Sequence, residues 1–448
     1  MSLLSSLPDP GVYQTTGAGY RPSAFAVSEL ATASVAAVGC ELARLITALN
    51  LGPSRPEVTV DHRLASLWYG WSFKPQGWEM PDAWDAIAGD YRTADGWIKL
   101  HTNLPHHRAA ALSVLRCDST REAVAAAVNR WDSSELESNI VAAGGVAASM
   151  RSRTDWQSHP QGQAMASDPL VLWGGPRSVQ LRDRPNADAI RPLKGLRVLD
   201  LTRVLAGPVA TRTLAGFGAD VLRIDPPGWD EPGVIPDISL GKRCAYLDLK
   251  TPAGLETCKS LLAQADVLVH GYRPGALQSL GLGEAERNRI APNRIEITLD
   301  AYGWSGPWAG RRGFDSLVQM SGGIAATGME WAQSDKPTPL PVQALDHATG
   351  YLMAAAVLSA LSEAAEGRDT ATGHLSLART AELLCSLPKT ARGPQIQAAD
   401  AMDYSEAPEH SGWGGGHRLR PPLQVGQSLL AWDRPAGPLG RENPRFTN

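Results

Sequence analysis

The sequence lacks the patterns that mark several common functional classes. It has no run rich in lysine and arginine, and its formal net charge is -4, so it shows no electrostatic footprint for nucleic acid or for an anionic membrane. No uninterrupted apolar stretch reaches the roughly 20 residues needed to cross a bilayer, and the first residues lack the charged region of a signal peptide. We therefore expect a cytoplasmic protein without nucleic-acid or membrane partners.

Cysteine motifs and phosphate-binding glycine motifs are also missing. The five cysteines are scattered, with no CxxC pair and no histidine at zinc-ligand spacing, so we expect reduced thiols and no metal site. No GxGxxG follows the first buried strand of the chain's second half, and no GxxxxGK[ST] occurs anywhere. These absences exclude the phosphate cradles of dinucleotide dehydrogenases and P-loop enzymes.

The chain is nevertheless long and apolar enough for two or three globular domains, with 448 residues of which 43% are hydrophobic. Its composition predicts a loose N-terminal arm, then small-domain-like and helical segments, a linker, alternating strands and helices, and a C-terminal tail or return segment. The predicted boundaries are 1–24, 25–175, 176–192, 193–390 and 391–448.

The first half shows local signals of mixed structure. Residues 25–50 read as a helix ended by prolines and 57–60 as a short strand. Residues 91–100 read as a hairpin, because Asp95-Gly96 supplies the positive φ that a tight turn needs. Three further stretches are helical in composition, namely 106–114, 119–130 and 134–150.

From Leu193 onward, buried strand runs alternate with helices. The predicted strands are 195–201, 219–224, 266–269 and 294–299, with helices at 209–217 and 251–264. This order predicts an α/β fold with a doubly wound, Rossmann-like parallel sheet. Such sheets bind ligands beyond the carboxyl ends of their strands. The segments that follow the strands are therefore expected on the ligand side, namely 203–206, 225–228, 270–273 and 301–303.

One carboxylate stands at the mouth of a long Ala/Leu-rich segment. Asp346 precedes the apolar run 351–361, which has the length and composition of a helix. The residues alone leave two roles open for it. Asp346 either caps the helix by accepting hydrogen bonds from first-turn N–H groups, or it is a rigidly held acid in an active site.

Six ordered blocks in the second half resemble the family III CoA-transferases, the group that includes formyl-CoA transferase, carnitine CoA-transferase and α-methylacyl-CoA racemase. The blocks are Leu193–Pro208 (LKGLRVLDLTRVLAGP), Leu214–Asp225 (LAGFGADVLRID), Gly241–Arg243 (GKR), Leu247–Pro252 (LDLKTP), Ala265–Gly275 (ADVLVHGYRPG) and Tyr302–Pro307 (YGWSGP). The resemblance implies a Rossmann-like large domain with a smaller α+β domain, coenzyme A or acyl-CoA as substrate, and a homodimer. It implies no permanently bound cofactor.

The resemblance also implies site residues. Asp346 stands where the family carries its catalytic aspartate, although the continuation Leu345–Gly350 departs from the commoner glycine-rich one. The implied CoA-binding residues are Val204, Leu205, Ala206, Lys242, Arg243, Tyr272 and Arg273. For most of these an ordinary turn or surface role stays open. Trp413–Gly416 resembles the family's flexible glycine loop and also fits a tail turn.

The order of the segments is unusual. Stretches such as 91–97 and 155–162 resemble parts that the family places after its catalytic aspartate, whereas here they precede the sheet, so the order is permuted. Residues 27–65 also echo 344–382 with an offset of 317, which pairs Val60 with Leu377 and sets Glu29 opposite Asp346. We interpret Glu29 as the relic of a second nucleophile.

These observations predict a CoA-transferase that moves coenzyme A between an acyl-CoA and a carboxylic acid through covalent intermediates on Asp346. Two alternatives stay open. An α-methylacyl-CoA racemase would need a histidine and acid pair; Phe314 stands where racemases of the family carry histidine, which leaves His347 as a substitute base. A non-catalytic CoA-binding subunit is the other alternative.

Overall fold

The computed structural model describes residues 4–390 and 393–447. The first stretch is ordered rather than loose, because β1 pairs in parallel with β2 and so fixes the predicted arm. The long helix predicted at 25–50 forms as α1 and is followed by the predicted short strand, β2. The elements are β1 (Gln14–Thr16), α1 (Val27–Ala48), β2 (Val58–Asp61), α2 (His62–Trp68) and β3 (Phe73–Pro75).

A small α+β unit follows, with its own apolar core. Its strands form the antiparallel sheet β4-β5-β6, and the predicted hairpin turns at Asp95-Gly96. The helix predicted over 134–150 is too long, since its end is strand β6. The elements are β4 (Gly89–Arg92), β5 (Trp97–Leu100), α3 (Pro105–Leu115), α4 (Arg121–Val128), α5 (Ser133–Ala142) and β6 (Ala147–Ser149), followed by α6 (Arg153–Ser158), α7 (Pro160–Ser167) and β7 (Leu172–Trp173).

The large sheet has the doubly wound architecture predicted from the sequence. Its helices and strands alternate as β8 (Arg197–Leu201), α8 (Ala206–Gly216), β9 (Asp220–Asp225), α9 (Ile235–Ile238), β10 (Lys242–Tyr246), α10 (Pro252–Gln264), β11 (Val267–His270), α11 (Ala276–Ser279), α12 (Glu284–Ile290), β12 (Ile295–Asp300), α13 (Asp315–Ser321), α14 (Ile324–Trp331), α15 (Ala344–Ala365), β13 (Gly373–Ser376) and α16 (Leu377–Ser386).

Strand order in this sheet is β10-β9-β8-β11-β12-β13-β7, all parallel except the edge strand β7. The six parallel strands follow the Rossmann order, in which the chain reverses direction between the first and fourth strands. Here that switch point lies between β8 and β11. The turns after these two strands therefore open the crevice in which such sheets bind ligands.

The last segment is folded into strands rather than forming a loose tail. Its elements are β14 (Glu409–Ser411), β15 (Gly414–Arg418), β16 (Leu423–Val425) and β17 (Ser428–Leu429). Strand β16 pairs with β2 from the start of the chain, and β15 pairs with β3. Gly414–Gly416 thus begin β15, and Trp413 lies in the turn between β14 and β15. Trp413 stacks near Trp78, and Gly416 has no room for a side chain against Phe73. The likeness to the family's glycine loop stays a prediction.

The internal repeat is visible in the elements. Helices α1 and α15 are both 22 residues long, and their first residues are 317 positions apart. Each begins with an equivalent backbone hydrogen bond, from Val27 N–H to Phe25 O in α1 and from Ala344 N–H to Val342 O in α15. The connection that follows is two residues shorter in the second copy, which shifts the register of the next strand. Val60 therefore corresponds to Leu375, and the predicted match with Leu377 is wrong.

The same two helices are long and apolar enough, by length and composition, to span a membrane. They pack against each other, and 72% and 89% of their apolar windows are buried inside the fold. Arg44 of α1 donates to Glu366 at the far end of α15 at 2.8 Å. Core helices of soluble proteins meet the same criterion, so these two helices carry no argument for a membrane.

Candidate active site

A cleft of about 410 Å³ lies at the carboxyl ends of the large sheet, at its switch point. The sheet contributes the turns after β8, β11 and β12, and α15 contributes Asp346. The opposite wall comes from the start of α3, with Leu104, His106 and His107. The cleft therefore lies between the large sheet and the small α+β unit that precedes it in the chain.

The turn after β8 has an unusual backbone. Val204 adopts φ 65°, a left-handed conformation that a β-branched residue rarely takes. Its N–H donates to Glu231 Oε1 at 2.8 Å, and Glu231 in turn pairs with the buried Arg223 at 3.0 Å. Leu205 and Ala206, buried beside it, lead into α8. Strained backbone of this kind concentrates at ligand sites, and all three predicted turn residues do line the cleft.

Lys242 lies elsewhere than its predicted role requires. It is fully buried, and its Nζ donates to Asp200 Oδ2 at 3.0 Å and to the Pro208 carbonyl at 2.9 Å. Burial opposes ionisation of Asp200, but Lys242, Arg223 and two threonine hydroxyls together hold the pKa of Asp200 below its ordinary value. Lys242 thus braces the β8–α8 turn from behind and does not line the cleft.

Arg243 is also misassigned by the prediction. It lies near the beginning of β10, which places it at the edge of the parallel sheet opposite to the cleft. There its guanidinium binds the Asp220 carboxylate and donates to Thr447 Oγ1 at 3.0 Å. Because β10 begins at Lys242, both basic residues lie at the start of this strand, whereas the cleft lies beyond the carboxyl ends of the parallel strands.

Asp346 occupies the first turn of α15 and is 5% exposed. It does not cap the helix. That role belongs to Asp315, whose Oδ2 accepts from the N–H groups of Leu345 and Asp346, both at 2.9 Å. Among the residues that the structure describes, none donates a hydrogen bond to the Asp346 side chain. The carboxylate is therefore buried without a partner at the wall of the cleft, as expected for a reactive group rather than a structural one.

The two neighbouring acids perturb one another. Burial, reinforced by the negative charge of Asp315, holds the pKa of Asp346 well above its usual range. Burial also raises the pKa of Asp315 to about 6, despite hydrogen bonds from the Asp346 N–H and the Gln319 amide. A poorly solvated carboxylate of raised basicity is a better nucleophile than one in water.

Gly350 explains how Asp346 reaches the turn after β8. One helical turn beyond Asp346, its Cα faces the start of α8, where an added Cβ would lie 2.5 Å from the Ala206 carbonyl oxygen and 2.7 Å from the Val209 Cβ. Only glycine permits this approach. The segment after Asp346 therefore includes a glycine, Gly350, that allows α15 to lie close to the Val204–Ala206 turn.

A second cavity of about 270 Å³ adjoins the cleft. The two cavities share four lining residues, which are Leu104, Val204, Phe314 and Asp346. Asp346 thus lies where the two cavities meet. A group held in one cavity and a group held in the other both have access to the same carboxylate.

The larger cleft carries basic and aromatic side chains. Arg203 stacks over Trp229 at 4.4 Å and over Tyr272 at 5.5 Å, and its Nε has no hydrogen-bond partner. Arg273 is exposed at the rim, as predicted. Burial and the nearby positive charge of Arg273 lower the pKa of Arg312. Such guanidinium groups suit phosphate oxygens, which accept their forked donors.

Histidines were only partly anticipated. His347, the predicted substitute base, lines neither cavity; it stacks on Tyr69 at 5.3 Å, and burial lowers its pKa to about 3. Three others do line the cavities, His101 in the smaller and His106 and His107 in the larger. Burial lowers the pKa of His101 to about 3 and that of His107 to about 4, so both are neutral. In the sequence, residues 101–107 show no pattern that indicates a binding site; they only follow a predicted strand.

Glu29 lies in the first turn of α1, as the repeat requires, but in different surroundings. Its Oε1 accepts from the Thr390 N–H and from Thr390 Oγ1, both at 2.9 Å. It lines neither cavity. Within the described part of the chain, no group of His, Cys, Asp and Glu could hold a metal ion.

Comparison with known proteins finds a family match in the second half of the chain. Residues 193–401 match the sequence model described as CoA-transferase family III. Over this segment, slightly less than half of the chain, the protein is similar to that family. The segment includes the whole sheet portion of the cleft and Asp346, and excludes the small α+β unit.

Curated relatives match over a similar stretch. Mouse succinyl-CoA:glutarate CoA-transferase is 35% identical over 42% of this chain and 45% of its own length. A probable fatty acyl-CoA transferase of Mycobacterium tuberculosis, Rv3272, is 35% identical over 40% of this chain and 48% of its own. A crystal structure of Rv3272 aligns with a TM-score of 0.40 at 34% identity, covering 43% of this chain and 55% of that one. The chain spans about half the length of the relatives it matches.

Proposed function

We propose that the protein is a CoA-transferase that exchanges coenzyme A between an acyl-CoA thioester and a carboxylic acid, with Asp346 as nucleophile. The observation that supports this most is the carboxylate of Asp346, which is buried, lacks a hydrogen-bond partner among the described residues, and lies where two cavities meet. The similarity of residues 193–401 to the family agrees with this chemistry.

The reaction would proceed through two kinds of covalent intermediate. An Asp346 oxygen attacks the thioester carbonyl, the C–S bond breaks, and CoA thiolate leaves an acyl-aspartyl anhydride. The thiolate then attacks the aspartyl carbonyl, which releases the donor acid and gives an aspartyl-CoA thioester. The acceptor carboxylate attacks this thioester, and the same steps in reverse deliver the new acyl-CoA and restore Asp346.

The larger cleft is the better candidate for coenzyme A. It has the predicted turn Val204, Leu205 and Ala206 at its base, and Tyr272 and Arg273 at its rim. The Arg203 guanidinium lies between two aromatic rings and supplies positive charge for a phosphate or carbonyl oxygen, although its buried Nε is 4.0 Å from Asp225 Oδ1. Each oxyanion donor is worth about 3–4 kcal/mol where its loss has been measured in other enzymes.

Trapping the intermediate tests the proposal. Wild-type protein incubated with an acyl-CoA should gain a covalent mass on the peptide that contains Asp346, and hydroxylamine should convert the adduct to a hydroxamate. The Asp346→Asn variant should gain none. If solvent deuterium instead enters the α-position of a 2-methylacyl-CoA without any adduct, the protein is a racemase; if a broad panel of acyl-CoAs gives neither signal, it is a non-catalytic binding protein.

Assembly remains a prediction. We propose a homodimer on the basis of the family resemblance, yet both walls of the cleft come from one chain. The catalytic site would then be complete in each protomer, and turnover per chain should not depend on protein concentration. Light scattering together with activity over a dilution series measures both properties.

A further inference from the structure

The smaller cavity contains polar groups that have nothing to bind. Among the described residues, Nδ1 of His101 and Oγ of Ser316 are buried without a hydrogen-bond partner, and both residues line this cavity with Asp346. His101 is 7% exposed and Ser316 is 9% exposed. Buried polar groups are almost always paired, so two unpaired ones beside the Asp346 carboxylate in one cavity indicate a polar ligand.

The rigidity of His101 supports this reading. Its ring stacks on Phe314 with the centroids 3.9 Å apart and meets the edge of Trp84 at 5.4 Å. A neutral imidazole held in this way offers one donor and one acceptor in fixed positions. Ser316, in the first turn of α13, supplies a hydroxyl that can rotate to suit the same ligand.

The rest of the lining is acidic and contains no lysine or arginine among the described residues. Two of its carboxylates are neutralised from outside, Asp85 by Arg108 at 3.1 Å and Glu231 by Arg223 at 3.0 Å. Asp82 and Asp230 are exposed at the rim and have no cationic partner in the described parts of the chain. The outer end of the cavity thus carries uncompensated negative charge.

We propose that this cavity binds the carboxylic acid partner of the reaction, and that it selects a monocarboxylic acid whose far end carries an ammonium or other cationic group. The buried end, with His101, Ser316 and Asp346, receives the reacting carboxylate; the exposed end, with Asp82 and Asp230, receives the cation. This inference rests on the proposed transferase function, since it assigns the second substrate of that reaction.

Charge makes the selectivity directional. A dicarboxylic acid would bring a second carboxylate to Asp82 and Asp230, where no described side chain neutralises it, and like charges placed together are unfavourable. A cationic end would be attracted to the same rim. Glutarate, the acid named for the mouse relative, is a dicarboxylic acid. The acceptor of this chain should therefore differ from that relative's.

Three five-carbon acids of matched length test the proposal: δ-aminovalerate, valerate and glutarate. With propionyl-CoA as donor, kcat/KM should fall in that order. Replacing Asp82 or Asp230 by Asn should reduce the preference for δ-aminovalerate over valerate by up to about fivefold each, the range expected for exposed charge pairs. Asp118→Asn, an exposed acid of the same half that lines neither cavity, is the matched control and should leave the order unchanged.

The inference and the underlying function fail in different ways. If the Asp346 adduct forms from propionyl-CoA but glutarate is the best acceptor, or if Asp82→Asn and Asp230→Asn leave the ratio of the three acids intact, the inference is wrong and the transferase stands. If neither adduct nor transfer occurs with any acid, both are wrong. Ser316→Ala should raise KM for the acid more than KM for propionyl-CoA, a split that a merely structural role would not produce.

Discussion

The two copies of the repeat differ in surroundings far more than in backbone. Helices α1 and α15 have equal length and the same backbone geometry at their N-termini, and each places a carboxylate in its first turn. Glu29 is bound by Thr390 and lines neither cavity, whereas the Asp346 side chain accepts no hydrogen bond from residues 4–390 or 393–447 and faces two cavities. A helix of this kind can thus hold an acid in place, but the walls around the acid decide whether chemistry is available to it.

A second contrast lies one turn further along each helix. Gly350 of α15 corresponds to Ala33 of α1, and only Gly350 lies against the start of α8. Helix α8 packs against α15, which is the surrounding that this position of α15 has to fit. The glycine is therefore explained by the neighbour of α15 and not by the helix itself.

The largest expected effect separates the two acids. Asp346→Asn should abolish CoA exchange by several orders of magnitude because the nucleophile is lost, while Glu29→Gln should leave turnover nearly intact because its oxygen only accepts from Thr390. Steady-state kinetics with both variants measure the difference. Comparable losses with the fold preserved would mean that the first copy is a working site.

A smaller effect is expected at the glycine. Gly350→Ala would force the Val204–Ala206 turn away from α15, and we expect a stability loss of about 1–3 kcal/mol, typical of overpacking, with a raised KM for the acyl-CoA. The matched change Ala33→Gly should cost about 0.5–1 kcal/mol through helix propensity alone and leave KM unchanged. Denaturant unfolding and kinetics report the two quantities separately. Equal KM values for both variants would contradict our account of Gly350.

The smallest effect concerns stability and pH. Because the folded state raises the pKa of Asp346, its ionised form destabilises the fold at neutral pH. Asp346→Asn should therefore melt higher than wild type at pH 7, and this advantage should shrink as the pH falls and vanish below the unfolded value of about 3.9. Thermal melts of wild type and Asp346→Asn across this range measure the difference, and a variant that melted lower throughout would contradict the assignment.

Much of the fold was predictable because its signals are local. Buried strand runs alternating with helices predicted the large sheet, and Asp95-Gly96 predicted the β4–β5 hairpin of the small α+β unit. Strand β10 was not predicted, because Lys242 and Arg243 are given a CoA-binding role by the resemblance, whereas in the structure they begin a strand. Partners far away in sequence decided the rest: β1 is ordered by β2, and the last segment is ordered by β2 and β3.

The sequence predicted site residues in the segments that resemble the family, but not those in the cavity walls built by the small α+β unit and α13. The resemblance predicts Asp346, the Val204–Ala206 turn and Tyr272-Arg273 as site residues, and the structure places all of them along one cleft. Asp315, His101 and Ser316 were missed, because their roles depend on which atoms they do or do not contact. No sequence pattern indicates that the Ser316 hydroxyl lacks a partner, or that the Asp315 carboxylate caps α15, which begins 29 residues later.

The pairing of strands that are distant in sequence has a consequence for folding. Strand β7 from the first half completes the large sheet beside β13, and β16 from the last segment pairs with β2 from the first. The large sheet cannot be finished before Ser376 is available, nor the other sheet before β16 and β17 are, and such distant pairings are slow to form. Unfolding should therefore be one cooperative event, and a cut in the linker should leave two fragments that fold only by associating.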